Sequence, residues 1–305
     1  MTFVLVDDAR LALARDSLAG LSVGDALGGR YFRPGRGTGG WGEELPEPPW
    51  EWSDDTEMAC SVLAVLARRG AVDPDELAAS FANRYDPARR YGAGAVELLE
   101  LIRSGTPWPV ASVSVFAGQG SYGNGAAMRI APLGAYLADS PARAAAQAAV
   151  ASEVTHAHPE GVAGGVAVAV AAARAAGARL SGDRPDPDRL LAAVAAVLDP
   201  AGAVRAGIDR AIGLLDRPVP EAARELGNGG RVTAPDTVPF ALWAAARHLA
   251  DYPAAVRACV EAGGDVDTTA AIAGGIVAAY TGVGTPGGVP ADWIEAREPL
   301  PTWLG

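Results

Sequence analysis

Two short acidic clusters carry the chemistry that this chain could perform. The first is Trp52-Ser53-Asp54-Asp55-Thr56, two adjacent carboxylates between two hydroxyls. The apolar run from Met58 to Leu66 follows directly, so the cluster is expected at a helix N-terminus. One Ser or Asp there can cap the orphan backbone N–H groups. A cap needs one acceptor, and several are offered; adjacent carboxylates repel unless a cation or a proton lies between them. The second cluster, Gly263-Gly264-Asp265-Val266-Asp267-Thr268-Thr269, opens another helical run that continues to Tyr280. Together the clusters supply four carboxylates plus hydroxyl oxygens, with no His or Cys. Hard oxygen donors of this kind suit Mg²⁺, Mn²⁺ or Ca²⁺ and do not suit zinc. If the clusters meet in space, one or two octahedral ions could be held between them, with water and substrate completing the shells.

A third stretch adds a possible anion site. Phe116-Ala117-Gly118-Gln119-Gly120-Ser121-Tyr122-Gly123-Asn124-Gly125 precedes an expected helix over residues 126–134. A Gly-rich loop at a helix start can present free N–H groups to a phosphate, or it can be a plain turn. No Gly-Lys-Ser/Thr follows, so it is not a P-loop. His156 and His158 stand two apart, which does not place them on one helix face as a zinc pair; one of them could line a pocket, or both could sit in a solvated turn. Asp25, in Gly24-Asp25-Ala26-Leu27-Gly28-Gly29, reads equally as a site residue or as a polar group bonding a neighbouring helix end.

These residues must be positioned by helices. Half of the 305 residues are hydrophobic and only 6% are aromatic. The apolar residues are mostly Ala, Leu and Val, and no sustained period-2 alternation is present, so a predominantly α protein is expected. Helices are predicted over residues 10–27, from Ser53 onward, 74–85, 95–103, 161–177, in two segments within 190–215, over 238–250, 252–262 and 270–280, and in the tail near 290–305. Several glycines in the first helix imply close helix contact or backbone near a ligand. Residues 33–50 read as a long loop leading into the first cluster, 86–94 and 227–230 as turns, and 161–177 as a central core helix too short to span a membrane. The formal charge of −11 argues against a duplex nucleic-acid binder. Cys60 and Cys259 are expected to be buried free thiols. The N-terminal residues lack the pattern of a signal peptide, so a cytoplasmic protein is predicted, with no membrane partner and as a monomer.

Five blocks make the chain resemble the ADP-ribosylglycohydrolase family, the group of dinitrogenase-reductase-activating glycohydrolases and ADP-ribosylhydrolases. They are Gly24-Asp25-Ala26-Leu27-Gly28, Ser53-Asp54-Asp55-Thr56, Gly120-Ser121-Tyr122-Gly123-Asn124-Gly125-Ala126-Ala127-Met128-Arg129, Thr155-His156 and Gly264-Asp265-Val266-Asp267-Thr268. The resemblance spans nearly the whole chain as a single domain and implies an all-α, compact orthogonal helical bundle. It implies two divalent cations, Mg²⁺ or Mn²⁺, on Ser53, Asp54, Asp55, Asp265, Asp267 and Thr268. It further implies that Gly120, Ser121, Tyr122, Gly123, Asn124, Gly125 and His156 hold ADP-ribose. The blocks Arg90-Tyr91-Gly92-Ala93-Gly94 and Phe116 through Arg129 resemble those of the ADP-ribosylserine branch, which adds Gly92, Gly94 and Phe116 to the substrate site. Phe32 stands where several members have a Glu close to the metals.

The implied reaction is metal-dependent hydrolysis of the glycosidic bond between ADP-ribose and a modified acceptor. Asp54 or Asp55 is the candidate base on the attacking water, or only a metal ligand. Rival readings are hydrolysis of ADP-ribosyl-arginine or another conjugate, a non-catalytic ADP-ribose sensor, and a retired structural relative, the last opposed by the intact Asp clusters.

Overall fold

A computed structural model describes residues 5–31 and 44–304. Phe32 and most of the expected 33–50 loop lie outside the described residues. Sixteen α-helices and two 3₁₀ turns account for the regular structure among the described residues, and only isolated β-bridges occur beside them. The expected all-α architecture is therefore what forms.

In chain order the helices are α1 (Asp7–Tyr31), α2 (Asp54–Arg69), α3 (Pro74–Arg84), α4 (Ala93–Arg103), α5 (Trp108–Gly118), α6 (Gly125–Met128), α7 (Ala131–Tyr136), α8 (Pro141–Glu153), α9 (Pro159–Ser181), α10 (Pro187–Ala195), α11 (Ala203–Ile212), α12 (Val219–Leu226), α13 (Ala234–Arg247), α14 (Tyr252–Ala262), α15 (Val266–Thr281) and α16 (Ala291–Ala296). The start signals are ordinary ones. Ser53, Asp73, Ser140 and Asp251 each accept a backbone N–H within the first turn of the helix they begin, and Pro occupies an early position in α3, α8 and α14.

Three helices, α5, α8 and α12, have no counterpart in the sequence-based reading, and the expected helix over 126–134 divides at Arg129-Ile130 into α6 and α7. Pro132 accounts for the division: it has no N–H to donate, and its ring would meet the carbonyl of Met128 in a continuous helix. The tail helix is short and packs on the surface, as expected, through one buried residue. Trp293 on α16 is buried and packs edge-on against Trp50 and Tyr252, at centroid distances of 6.1 and 6.0 Å.

α9 is the central helix, packed by α7, α8, α13 and α15. Its length and hydropathy would let it cross a membrane, but 72% of its most apolar window is buried inside the fold, as a core helix requires. Cys60 and Cys259 are buried free thiols, each pushed up to about 12 by burial. The arrangement that matters most for the site is the antiparallel pair α1 and α15. A Cβ on Gly28 would lie 2.7 Å from the Val266 carbonyl oxygen and 2.8 Å from Asp267 Cα, and one on Gly24 would penetrate the Ala270 carbonyl. Here the glycines of α1 serve close helix contact, bringing the end of α1 alongside the start of α15.

Candidate active site

Asp25 joins the two ends of the chain. It is fully buried on α1 and faces the N-terminus of α2. Its Oδ2 accepts from the Ser53 N–H (2.8 Å), the Thr56 N–H (3.2 Å) and the Thr56 hydroxyl (2.6 Å), and its Oδ1 accepts from the Ser53 hydroxyl (2.7 Å). Of the two readings open for Asp25, the helix-end role is thus realised. It also adds a fifth carboxylate to the four anticipated. Because α1 is simultaneously pressed against α15, the two clusters meet: the Thr268 hydroxyl donates to Asp55 Oδ2 at 3.1 Å, across 213 residues of sequence.

Each carboxylate of the cluster is held above its usual range. Burial is the first cause in every case and a neighbouring carboxylate the next for most. Asp25 is raised to about 6 by burial and by Asp267, Asp267 to about 7 by burial and by Asp265, and Asp54 to about 8 by burial, Asp25 and Asp267. Asp55 is raised well above the carboxylate range by burial and by the other four, and Asp265 is raised mainly by burial. Raised carboxylates bind protons more tightly folded than unfolded, where they titrate near pH 4. Stability then falls as pH rises from about 4 through the folded values. In chelator, the thermal midpoint is expected to drop by about 5 °C or more between pH 5 and pH 8. A flat profile over that window would show that these groups do not ionise against one another.

The cluster is closed on its own hydrogen bonds. Asp25 holds Ser53 and Thr56, Asp55 takes the Thr268 hydroxyl, Asp265 Oδ2 accepts from the Asn124 amide at 2.7 Å, and Asp267 Oδ1 accepts from the Thr268 N–H at 3.0 Å. Among the described residues, no three His, Cys, Asp or Glu side chains stand ready-made around one ion position. The chemistry of the donor set nonetheless fits a divalent cation. Five carboxylates, those of Asp25 and Asp55 buried and those of Asp54, Asp265 and Asp267 partly so, and the hydroxyls of Ser53 and Thr268 are all hard oxygens, and the repulsion among the carboxylates is what a cation would relieve.

The cluster opens on a cavity of about 130 Å³ lined by Asp54, Gly92, Gly94, Phe116, Ser121, Gly125 and His156, with Met58 and Leu98 among its apolar walls. Six of the ten anticipated substrate residues therefore line one cavity together with Asp54. Gly120, Tyr122, Gly123 and Asn124 are adjacent in the loop but do not line it. Gly120 adopts φ +71° and packs on Ala157 and His158, where a Cβ would come within 2.8 Å of Ala157 Cβ. The N–H groups of Gly120, Gly123 and Asn124 bond to Val115 O, Ser121 Oγ and Val232 O, so these three are not free as an open anion cradle would have them. Asn124 is buried, and its amide ties the loop to Asp265 and to the Thr237 hydroxyl. Its observed task is to position the acidic cluster. Beside the cavity mouth, Phe116 and Ala117 interrupt α5 with φ of +54° and +57°, conformations that cost L-residues energy and turn the exposed Phe116 ring toward Gly94.

His156 is buried and neutral, its pKa lowered to about 3 by burial and by Arg129. The Thr155 hydroxyl lies 2.7 Å from His156 Nδ1 and accepts from Arg129 Nη2 at 2.7 Å. With the guanidinium donating to its oxygen, Thr155 is placed to donate its own proton to Nδ1, the arrangement that assigns the ring proton to Nε2. Nε2 lies 3.2 Å from the point where a Cβ on Gly125 would stand, so His156 presents a hydrogen-bond donor at the Gly-rich loop. His158 instead caps α9, its Nδ1 accepting the Glu160 N–H.

Two residues outside the anticipated set also bear on the site. Glu57 is buried and accepts from the Tyr91 hydroxyl at 2.7 Å, which holds the 86–91 turn to α2. Arg90 reaches over the cluster, 4.0 Å from Asp25 Oδ1 and 3.8 Å from Asp267 Oδ2. Asp25 offered a signal, an Asp among helix glycines. Arg90 stood in a block singled out by resemblance, which added only Gly92 and Gly94 to the site, because nothing local reveals that the 86–91 turn folds back over α1.

Comparison with known proteins places the chain in a family. The profile of a family described as ADP-ribosylglycohydrolase matches residues 7–304. ADP-ribosylhydrolase ARH3 of Homo sapiens is 30% identical over 94% of this chain and 90% of its own length. A protein of Archaeoglobus fulgidus is 29% identical over 92% of this chain and 90% of its own. Among solved structures, an ADP-ribosylglycohydrolase-related protein complex superposes with a TM-score of 0.69 at 28% identity, covering 95% of this chain and 94% of the other.

Proposed function

Because the chain belongs to the ADP-ribosylglycohydrolase family and is a glycohydrolase, we propose that it is a divalent-metal-dependent enzyme that releases ADP-ribose from an O-linked conjugate of the ADP-ribosylserine type. The observation that carries the reading is the junction of five repelling carboxylates, buried or partly buried, with a cavity whose walls include Gly92, Gly94, Phe116, Ser121, Gly125 and His156. An uncharged or basic site would have no use for such a cluster, and the fold sustains it at a cost in stability.

In this reading Ser53, Asp54, Asp55, Asp265, Asp267 and Thr268 hold two divalent cations, Mg²⁺ or Mn²⁺. Bound there, the ions supply Lewis-acid polarisation of a water and of ribose hydroxyls. The residues of the chain do the rest. Asp54 is the cluster carboxylate that borders the cavity, and it takes or returns the proton of the attacking water. The remaining carboxylates stabilise positive charge as it develops at the anomeric carbon. His156 donates from Nε2 to an oxygen of the bound nucleotide, and being neutral it does so across the neutral pH range. Apolar walls from Met58, Leu98 and Phe116 exclude water from the part of the ligand remote from the bond that breaks. The O-linked choice rests on the likeness of the 90–94 and 116–129 blocks to the serine branch.

The test is ADP-ribose release from serine-, arginine- and ester-linked conjugates with Mg²⁺, Mn²⁺ or EDTA. Metal-dependent release from the serine-linked conjugate is expected. Release from the arginine conjugate alone would move the substrate class. ADP-ribose binding without release from any conjugate would mean a sensor.

A further inference from the structure

Arg90 is placed in a way that the proposed reaction does not require. It follows the 3₁₀ turn Pro87–Arg89 and adopts φ +66° and ψ +28°, a left-handed conformation that an L-residue takes at some cost. From there its side chain folds back across α1 into space left by Gly29: a Cβ on Gly29 would come within 3.0 Å of Arg90 Nη2. The guanidinium ends 4.0 Å from Asp25 and 3.8 Å from Asp267, one carboxylate from each side of the junction between α1 and α15. Among the described residues, it is the one cation drawn within 4 Å of a cluster carboxylate. Both contacts are longer than a hydrogen bond, so what holds it is charge and not directed bonding. Its side chain is 45% exposed, while those of Asp25 and Asp267 are 0% and 14% exposed. The arginine can therefore leave the cluster, and the carboxylates cannot. The neighbours point the same way. Tyr91, the next residue, is anchored to Glu57, and Arg89, the preceding one, forms a two-pronged ion pair with Glu298 and lies over the Trp52 ring. A fixed backbone on both sides leaves the Arg90 side chain as the part free to swing.

We propose that Arg90 is an internal counter-cation that occupies the acidic cluster when divalent ions are absent and is displaced when they bind, so that metal loading competes with an arginine built into the chain. This rests on the metal-binding reading of the cluster. It makes Arg90 a determinant of metal affinity: the ion has to replace a charge already in place as well as satisfy its ligands. The metal-free cluster is held closed by the same charge, which stands within 4.0 Å of a carboxylate on either side of it.

The experiment compares the full chain with Arg90→Gln, which removes the charge at nearly constant length, and with Arg90→Lys, which keeps it. Two quantities are read: Mn²⁺ affinity by titration calorimetry, and the thermal midpoint in EDTA at pH 8, where the carboxylates are most ionised. Arg90→Gln is expected to bind Mn²⁺ about tenfold more tightly, a moderate factor because the arginine is half-exposed and screened, and to melt several degrees lower in EDTA. Arg90→Lys is expected to stay near the parent in both. Tight Mn²⁺ binding by the parent, unchanged or weakened in Arg90→Gln, overturns the competition and leaves the metal reading standing. No Mn²⁺ binding by either protein overturns both. An unchanged midpoint in EDTA overturns the counter-cation role.

Discussion

Asp267→Ala is expected to lower metal-dependent release of ADP-ribose by at least about 10²–10³-fold and, at the same time, to make the metal-free protein more stable. The two effects have one origin. Asp267 is pushed up to about 7 by burial and by Asp265, and it in turn raises Asp25, Asp54 and Asp55. Removing it deletes one repelling charge and eases three others, which outweighs the loss of its contact to the Thr268 N–H. The gain is on the order of 1–2 kcal/mol at pH 8 and shrinks as pH falls, to vanish below about pH 3, where these groups are protonated folded and unfolded alike. Turnover and the thermal midpoint in EDTA, measured on the same preparation, check both halves. An inactive variant that also melts lower in EDTA would show Asp267 to be a structural residue and not part of a strained site.

Gly24→Ala is the second large effect, and it acts without touching a charge. The added methyl would run into the Ala270 carbonyl and the backbone of α15, which has no rotamer by which to yield. Helices α1 and α15 would have to separate. Overpacking of this kind typically costs 1–3 kcal/mol, and a backbone obstacle places the cost at about 3 kcal/mol or more. Since α1 carries Asp25 and α15 carries Asp265 and Asp267, the same shift would pull the carboxylates apart. Urea denaturation should show the loss of stability, and Mn²⁺ titration should show weakened binding in whatever fraction folds. Gly92→Ala is the control, because a Cβ there meets nothing within 4 Å. Equal costs at the two glycines would refute close helix approach as the reason for Gly24.

The sequence by itself determined the chemistry on offer and most of the elements that carry it. Ser53-Asp54-Asp55 and Asp265-Val266-Asp267 could be read as helix starts because capping and apolar periodicity are local properties, and both do begin helices, α2 and α15. A predominantly helical protein followed from composition, the all-α class from the family resemblance, and the central place of α9 from its apolar run. Oxygen donors without His or Cys limited the chemistry before any fold was known. Where local cues were weaker the reading stopped short: α8 begins at Ser140-Pro141, a sound start signal, yet its Ala-rich body has little amphipathic pattern to confirm it. Only the tertiary structure decided which groups face one another. The bonding of Asp25 to four groups at the α2 N-terminus, the tying of Asn124 to Asp265 when a ligand contact had been expected, and the reach of Arg90 over two carboxylates are contacts between residues 28 to 177 positions apart. Such pairings are set by how α1 and α15 pack, and that depends on the absence of side chains at Gly24 and Gly28. A glycine in a sequence shows that room was left, and the helix that fills the room is settled by the fold.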